Sequence, residues 1–436
     1  MSPLTRRGLL IGGATVAAVA LQPEIAYAHD AGDKTRTVRF TLNATGLDGG
    51  EQVTSLTLDT SDFGMIDPAS LTSSTFAVHL TSSLPFDLPT GETLFTPYPD
   101  VERPVTKAHF EHGRIVLDLL TIDQTTPGNT LGYMLVAGRN VMMKQVYTIT
   151  QPAPLKLLKG GSLTLPGFTQ GRLVDPEVDV YSYHKSADGM NYRLFSPTQD
   201  HGWERSSGHG KRPLIVWLHG GGEGGLLSQK YYDNEPTLRA NRGALGFSTP
   251  EAQKIFGGAY VVAPQAESYW LENSIAGGPD YSGRLMKLIN ELVHHYPIDA
   301  QRIYVAGCSN GGYMSLELTN VYHDFFAASV PICGVIYDFP AKSKNVLITD
   351  PELAAIDTPS WLVCSAADTT VAPDPNSVHA SKVIPGAILS EYPTVTRNGI
   401  TYPGHWSWIY VARNDPKYHG RHIWQWMASQ RLSGHR

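Results

Sequence analysis

The chain has 436 residues, of which 42% are hydrophobic and 17% charged, with 42 glycines and 30 prolines. That length suggests two or three domains, and the composition excludes disorder, collagen, a coiled coil and a disulfide-stapled mini-protein. The formal net charge of −6 comes from 40 acids and 34 bases without long runs, and no basic block or interleaved aromatic stripe recommends a nucleic-acid partner.

Thr5-Arg6-Arg7-Gly8-Leu9-Leu10 opens a small, apolar run that ends near Ala20, and Ala26-Tyr27-Ala28 offers a cleavage site. The segment resembles a twin-arginine export signal, so residues 1–28 are expected to be removed and the mature chain to be secreted, periplasmic or cell-surface. The apolar run is too short to cross a membrane, and no later stretch reaches 18 apolar residues, so no stable span is expected after cleavage. The three cysteines, Cys308, Cys333 and Cys364, are few for an exported protein. Stability is not expected to need a disulfide, and a Cys333–Cys364 bridge is left open.

Residues 29–152 alternate polar and apolar positions in short segments broken by turn residues. Thr37–Leu42, Gln52–Leu58, Thr75–Leu80, Arg114–Leu119, Gly132–Ala137 and Gln145–Thr150 are the expected strands. Six or seven short strands without a good helix predict an antiparallel β-sandwich. The run beginning Gln151-Pro152-Ala153-Pro154 makes 153–177 the expected linker. From 178 to 436 apolar runs alternate with helical stretches, the pattern of a mostly parallel sheet flanked by helices. Two strands are expected around Asp188-Gly189, then Leu214–Leu218, Ala259–Ala263, a helix over Gly283–His295, Ile303–Ala306, a helix from Gly311, and strands Ala327–Ile332, Trp361–Cys364 and Ala387–Tyr392.

Gly307-Cys308-Ser309-Asn310-Gly311 is G-x-S-x-G directly after a buried-type strand and before a helix. In that context the sharp turn presents a serine hydroxyl at the strand end. A serine is a poor nucleophile until a base takes its proton, and the base needs an orienting acid. Asp368, four residues past the run Trp361–Cys364, is the expected acid, ahead of Asp357 and Asp374. His405, after the last strand, is the expected base, ahead of His379, His419 and His422. Activity is then expected to rise with pH through an apparent pKa of about 6–7. His219-Gly220-Gly221-Gly222-Glu223-Gly224-Gly225 follows Leu214–Leu218, where a second oxyanion donor belongs. The backbone amides of Gly221 and Asn310 are the expected pair. The same glycines satisfy G-x-G-x-x-G, but the next strand ends without an acid for a ribose, so no dinucleotide is expected. No Cys/His cluster has zinc spacing, and neither metal nor other cofactor is expected.

These motifs resemble the α/β-hydrolase superfamily, and more narrowly the bacterial secreted esterases of the polyhydroxybutyrate-depolymerase and feruloyl-esterase-like group, which carry an N-terminal Ig-like domain. The likeness rests on His219–Gly225, Val262-Ala263-Pro264-Gln265 with Trp270, Gly307–Gly312 and Gly404–Trp408, and spans roughly 178 to 430. Cys308, Gly312 and the stretch Ser365-Ala366-Ala367-Asp368 depart from the commonest forms of these motifs. The resemblance implies a serine carboxylic ester hydrolase acting on a small or polymeric ester; it leaves the oligomeric state open. Gln265, Trp270 and Trp406 are candidates for the substrate pocket, with Tyr269 and Trp408 beside them. The rival readings are a serine peptidase and an inert, polymer-binding protein of the same fold.

Overall fold

Along Val38–Leu47 every second residue is buried, the period of a strand with one covered face. That strand lies second in a five-stranded sheet, in the order Phe168–Val174, Val38–Leu47, Gly50–Leu58, Arg114–Leu119, Val105–Glu111. Asp100–Glu102, Ala77–Ser83 and Lys144–Thr150 form a three-stranded sheet. Phe40, Leu56 and Leu117 of the first share one core with Val78, Leu80 and Tyr147 of the second. The computed structural model describes residues 37–95, 100–123, 127–197, 210–337 and 346–432, so the export-signal reading at 1–28 lies outside the described residues.

Two expectations change here. The stretch 153–177 is more than a tether: Leu155–Lys156 pairs with Ser162–Leu163, and Phe168–Val174 pairs in parallel with Val38–Leu47. The five-stranded sheet is therefore mixed, not purely antiparallel. The prolines at 152 and 154 dominate the local composition, while the partner that makes 168–174 a strand is more than a hundred residues away. The segment read as one strand at Gly132–Ala137 is a hairpin, Leu131–Met134 paired with Arg139–Met142.

The second half is built on an eight-stranded sheet, in the order Tyr181–Lys185, Asn191–Phe195, Tyr260–Pro264, Arg212–Leu218, Ile298–Cys308, Ala328–Ile332, Trp361–Ser365, Ile388–Tyr392. The first two strands are antiparallel to their neighbours and the rest are parallel. Alternate residues serve two cores. Ile215, Trp217, Tyr304 and Ala306 pack with helices Gly243–Ser248, Pro250–Phe256 and Ile423–Ser429. Leu214, Val216, Ile303 and Val305 pack with Tyr281–His295 and Asn310–Val321. Covered on both faces, these strands are apolar along 214–218 and 303–306. Three parallel strands of this sheet, Arg212–Leu218, Ile298–Cys308 and Trp361–Ser365, end at the same sheet edge, on the glycine-rich turn, on Ser309 and in the loop of Asp368, the edge where open α/β sheets bind ligands. Cys308, Cys333 and Cys364 are buried free thiols, so the Cys333–Cys364 bridge is not formed.

Candidate active site

Ser309 follows the strand Ile298–Cys308 and precedes the helix Asn310–Val321, with φ 55° and ψ −113°. A residue with a Cβ holds such a backbone only where its surroundings over-determine it. The Ser309 N–H donates to Ile332 O at 2.8 Å, and the chain reverses tightly enough that a Cβ on Gly311 would stand 2.1 Å from Leu218 O. Only glycine permits that approach.

Asp368 lies in the loop after Trp361–Ser365, its side chain fully buried. Its Oδ1 accepts the amides of Thr370 and Val371, each at 2.8 Å. Its Oδ2 accepts His405 Nδ1 at 2.7 Å. A Cβ on Gly404 would come within 2.1 Å of Ala367 O, so glycine is what lets the histidine loop lie on the aspartate loop. The His405 ring meets Trp408 edge-on at 5.5 Å. Burial acts to lower the imidazole pKa, while the Cys333 sulfur and the Asp368 carboxylate beside it act to raise it, with a net upward direction.

The turn Gly221–Glu223 lines the same cleft as Ser309. His219 Nε2 accepts Ala266 N–H at 3.0 Å, so its proton is on Nδ1, which donates to Gly220 O at 2.6 Å. Burial pushes this imidazole down to about 3, and the neutral ring acts as a brace. No described residue supplies an acceptor to the amide of Gly221 or of Asn310, and the helix that begins at Asn310 adds its dipole toward a developing oxyanion.

These elements open into a cleft of about 1760 Å³, lined among others by Gly221, Ser309, Asn310, His405, Trp406 and Trp408. Residues 283–350 match the prolyl oligopeptidase family. Over 87 residues the sequence is 31% identical to Poly(3-hydroxyalkanoate) depolymerase C of Paucimonas lemoignei, covering 18% of this chain and 21% of that relative's length. A solved structure described as a thermostable esterase aligns with a TM-score of 0.70 at 24% identity, covering 90% of this chain and 99% of the other. The fold is that of an α/β-hydrolase.

Within this fold two of the expected pocket residues sit elsewhere. Gln265 is buried behind the glycine turn, where Nε2 donates to Glu223 O at 2.9 Å and Oε1 accepts Asn234 N–H at 2.8 Å. Trp270 is also buried, its indole donating to His219 O at 3.1 Å. Both brace the loop, because their polar atoms satisfy carbonyls and amides that the tight turn leaves unpaired. Trp406, Tyr269 and Trp408 do line the cleft.

Other wall residues come from the front half: Leu131, Tyr133, Leu135 and Asn140, from the hairpin. Arg139 of that hairpin donates to Gly225 O at 3.1 Å and to Ser268 Oγ at 3.2 Å, and stacks 3.6 Å above the Tyr269 ring. Asn140 Nδ2 reaches Glu223 Oε1 at 3.4 Å, while Glu223 Oε2 is buried without a described partner. Burial raises the Glu223 carboxyl to about 7, against lowering by the Gly220 backbone and Arg139.

Proposed function

We propose that the chain is an exported serine hydrolase that cleaves carboxylic esters through an acyl-enzyme. The observation that carries this reading is the 2.7 Å bond from His405 Nδ1 to Asp368 Oδ2, made between two separate loops, with His405 lining the same cleft as Ser309, which is held at positive φ. Ser309 Oγ attacks the ester carbonyl as His405 takes its proton. Asp368, already accepting two amides, orients the ring and stabilises the imidazolium. The amides of Gly221 and Asn310 receive the tetrahedral oxyanion, where one donor is worth roughly 3–4 kcal/mol. The alcohol leaves with the proton from His405, which then activates water to release the acid.

Ser309→Ala is expected to lower kcat by a factor on the order of 10⁶ and to abolish labelling by a fluorophosphonate. Retention of a tenth of the activity removes Ser309 from this role. The family match at residues 283–350 favours one rival, a serine peptidase, because acyl transfer from an amide uses the same groups. A panel of short nitrophenyl, feruloyl and polyhydroxybutyrate esters beside a proline-containing dipeptide amide separates the two. We expect hydrolysis of esters and not of the amide. The twin-arginine start predicts that Arg6→Lys combined with Arg7→Lys retains the protein inside the cell.

A further inference from the structure

Cys333 follows the strand Ala328–Ile332, next to the nucleophile strand in the sheet. It is buried and free, and it holds φ 39° although it carries a Cβ. A conformation of this kind costs on the order of 1–3 kcal/mol. Hydrogen bonds fix the backbone on both sides: Cys333 N–H donates to Val363 O at 2.8 Å, and the preceding carbonyl, Ile332 O, accepts the Ser309 amide at 2.8 Å. The thiol is thereby set against the triad. Its Sγ, a carboxylate oxygen of Asp368 and a ring nitrogen of His405 all lie within 4.8 Å of one another. A polarisable sulfur beside an imidazole accepts weakly from the charged ring, which favours the protonated form, and fills the space in which the ring would otherwise tilt.

We propose that Cys333 is a positioning residue of the triad, its thiol packing against the His405–Asp368 pair and holding the imidazole in one plane. The proposal rests on the reading of Ser309 and His405 as nucleophile and base. Three polar groups act on the imidazole: Asp368 from the loop after Trp361–Ser365, Cys333 from the end of Ala328–Ile332, and Glu223 from the glycine turn. Trp408 covers the ring edge. Of these, the sulfur is the one not already engaged in orienting the base or the oxyanion turn.

The test is the pH dependence of Ser309 labelling by a fluorophosphonate, which reads the base without requiring the natural ester. Wild type is compared with Cys333→Ala and with Cys333→Gly, which removes the thiol while relaxing the positive φ. In both variants the acid limb is expected to move down by about one pH unit and the alkaline plateau to fall about fivefold, with kcat and not KM falling on any ester turned over. Cys333→Ser, which restores a polar atom at this place, is expected to recover most of the plateau. A folded variant without the thiol that keeps the wild-type limb and plateau overturns the role of Cys333 alone. A wild-type protein that is never labelled overturns the reading of Ser309 and this proposal with it.

Discussion

Glu223 shows at the level of one residue how the oxyanion turn and stability are linked. Its side chain lies beneath the turn, with Oε2 3.0 Å from where a Cβ on Gly220 would stand. Burial favours the neutral acid, so the folded pKa of about 7 lies above the ordinary 4.5. Between those two values the native state keeps a proton that the unfolded chain releases, so ΔG of unfolding falls as pH rises. The contribution is full below about 4.5, declines through the window and is lowest above 7, a difference of about 3 kcal/mol. Glu223→Gln keeps the shape and the amide contact but cannot ionise. Urea denaturation is expected to find the variant about 3 kcal/mol more stable than wild type at pH 8, and within about 0.5 kcal/mol of it near pH 4. A difference that stays constant with pH counts against the burial argument.

Among elements, the hairpin Leu131–Met134/Arg139–Met142 does most to join the two halves around the site. Arg139 is buried and bonds the carbonyls of Ala137, Gly138 and Gly225 as well as Ser268 Oγ. Arg139→Met keeps the aliphatic stem but removes the guanidinium stacked on Tyr269 and leaves those carbonyls unpaired. Loss of charge-assisted bonds in a buried place is expected to cost about 3 kcal/mol in chemical denaturation, with kcat falling further than KM changes as the glycine turn loosens. A variant as stable as wild type would show the contacts to be dispensable. This hairpin also marks where the sequence stops being legible. Ser309, Asp368, His405 and the glycine turn each carry a local sign: a strand end, a glycine at fixed offset, an apolar run behind. The parallel strands were legible for the same reason, since burial on both faces writes itself as a continuous apolar run. Arg139, Asn140 and Cys333 carry no such sign, because what they do depends on a chain segment far away in sequence. Gln265 and Trp270 lie within a motif, but a motif does not say whether a side chain faces the cleft or supports the loop behind it.

Taken whole, Thr37–Arg436 forms one compact unit, and the charges at the junction of its halves explain why. Glu51, with no side-chain exposure, pairs with Arg239; Glu177 pairs with Arg242, which also donates to Gly46 O. Asp48 accepts Arg413 at 2.7 Å, and Asp123 accepts the Tyr402 hydroxyl at 2.8 Å. Removing one partner of a buried pair costs about 3–5 kcal/mol, because the other charge is left without water or counter-ion. If the front half unfolded alone, Arg239 would keep Glu235, but Arg242 would lose Gly46 O, Arg413 would lose Asp48, and the hairpin would leave the cleft wall. Melting the front half alone therefore forfeits these cross-junction bonds and uncovers the surface beneath them, which couples the two halves despite their separate cores. Calorimetry of the chain from residue 37 is therefore expected to give a single transition, with equal van't Hoff and calorimetric enthalpies. Residues 178–436 expressed alone are expected to be insoluble or inactive. Two resolved transitions, or a separate second half that hydrolyses esters at the full rate, would mean that the junction is a contact between independent domains and that its ion pairs are too well hydrated to couple them.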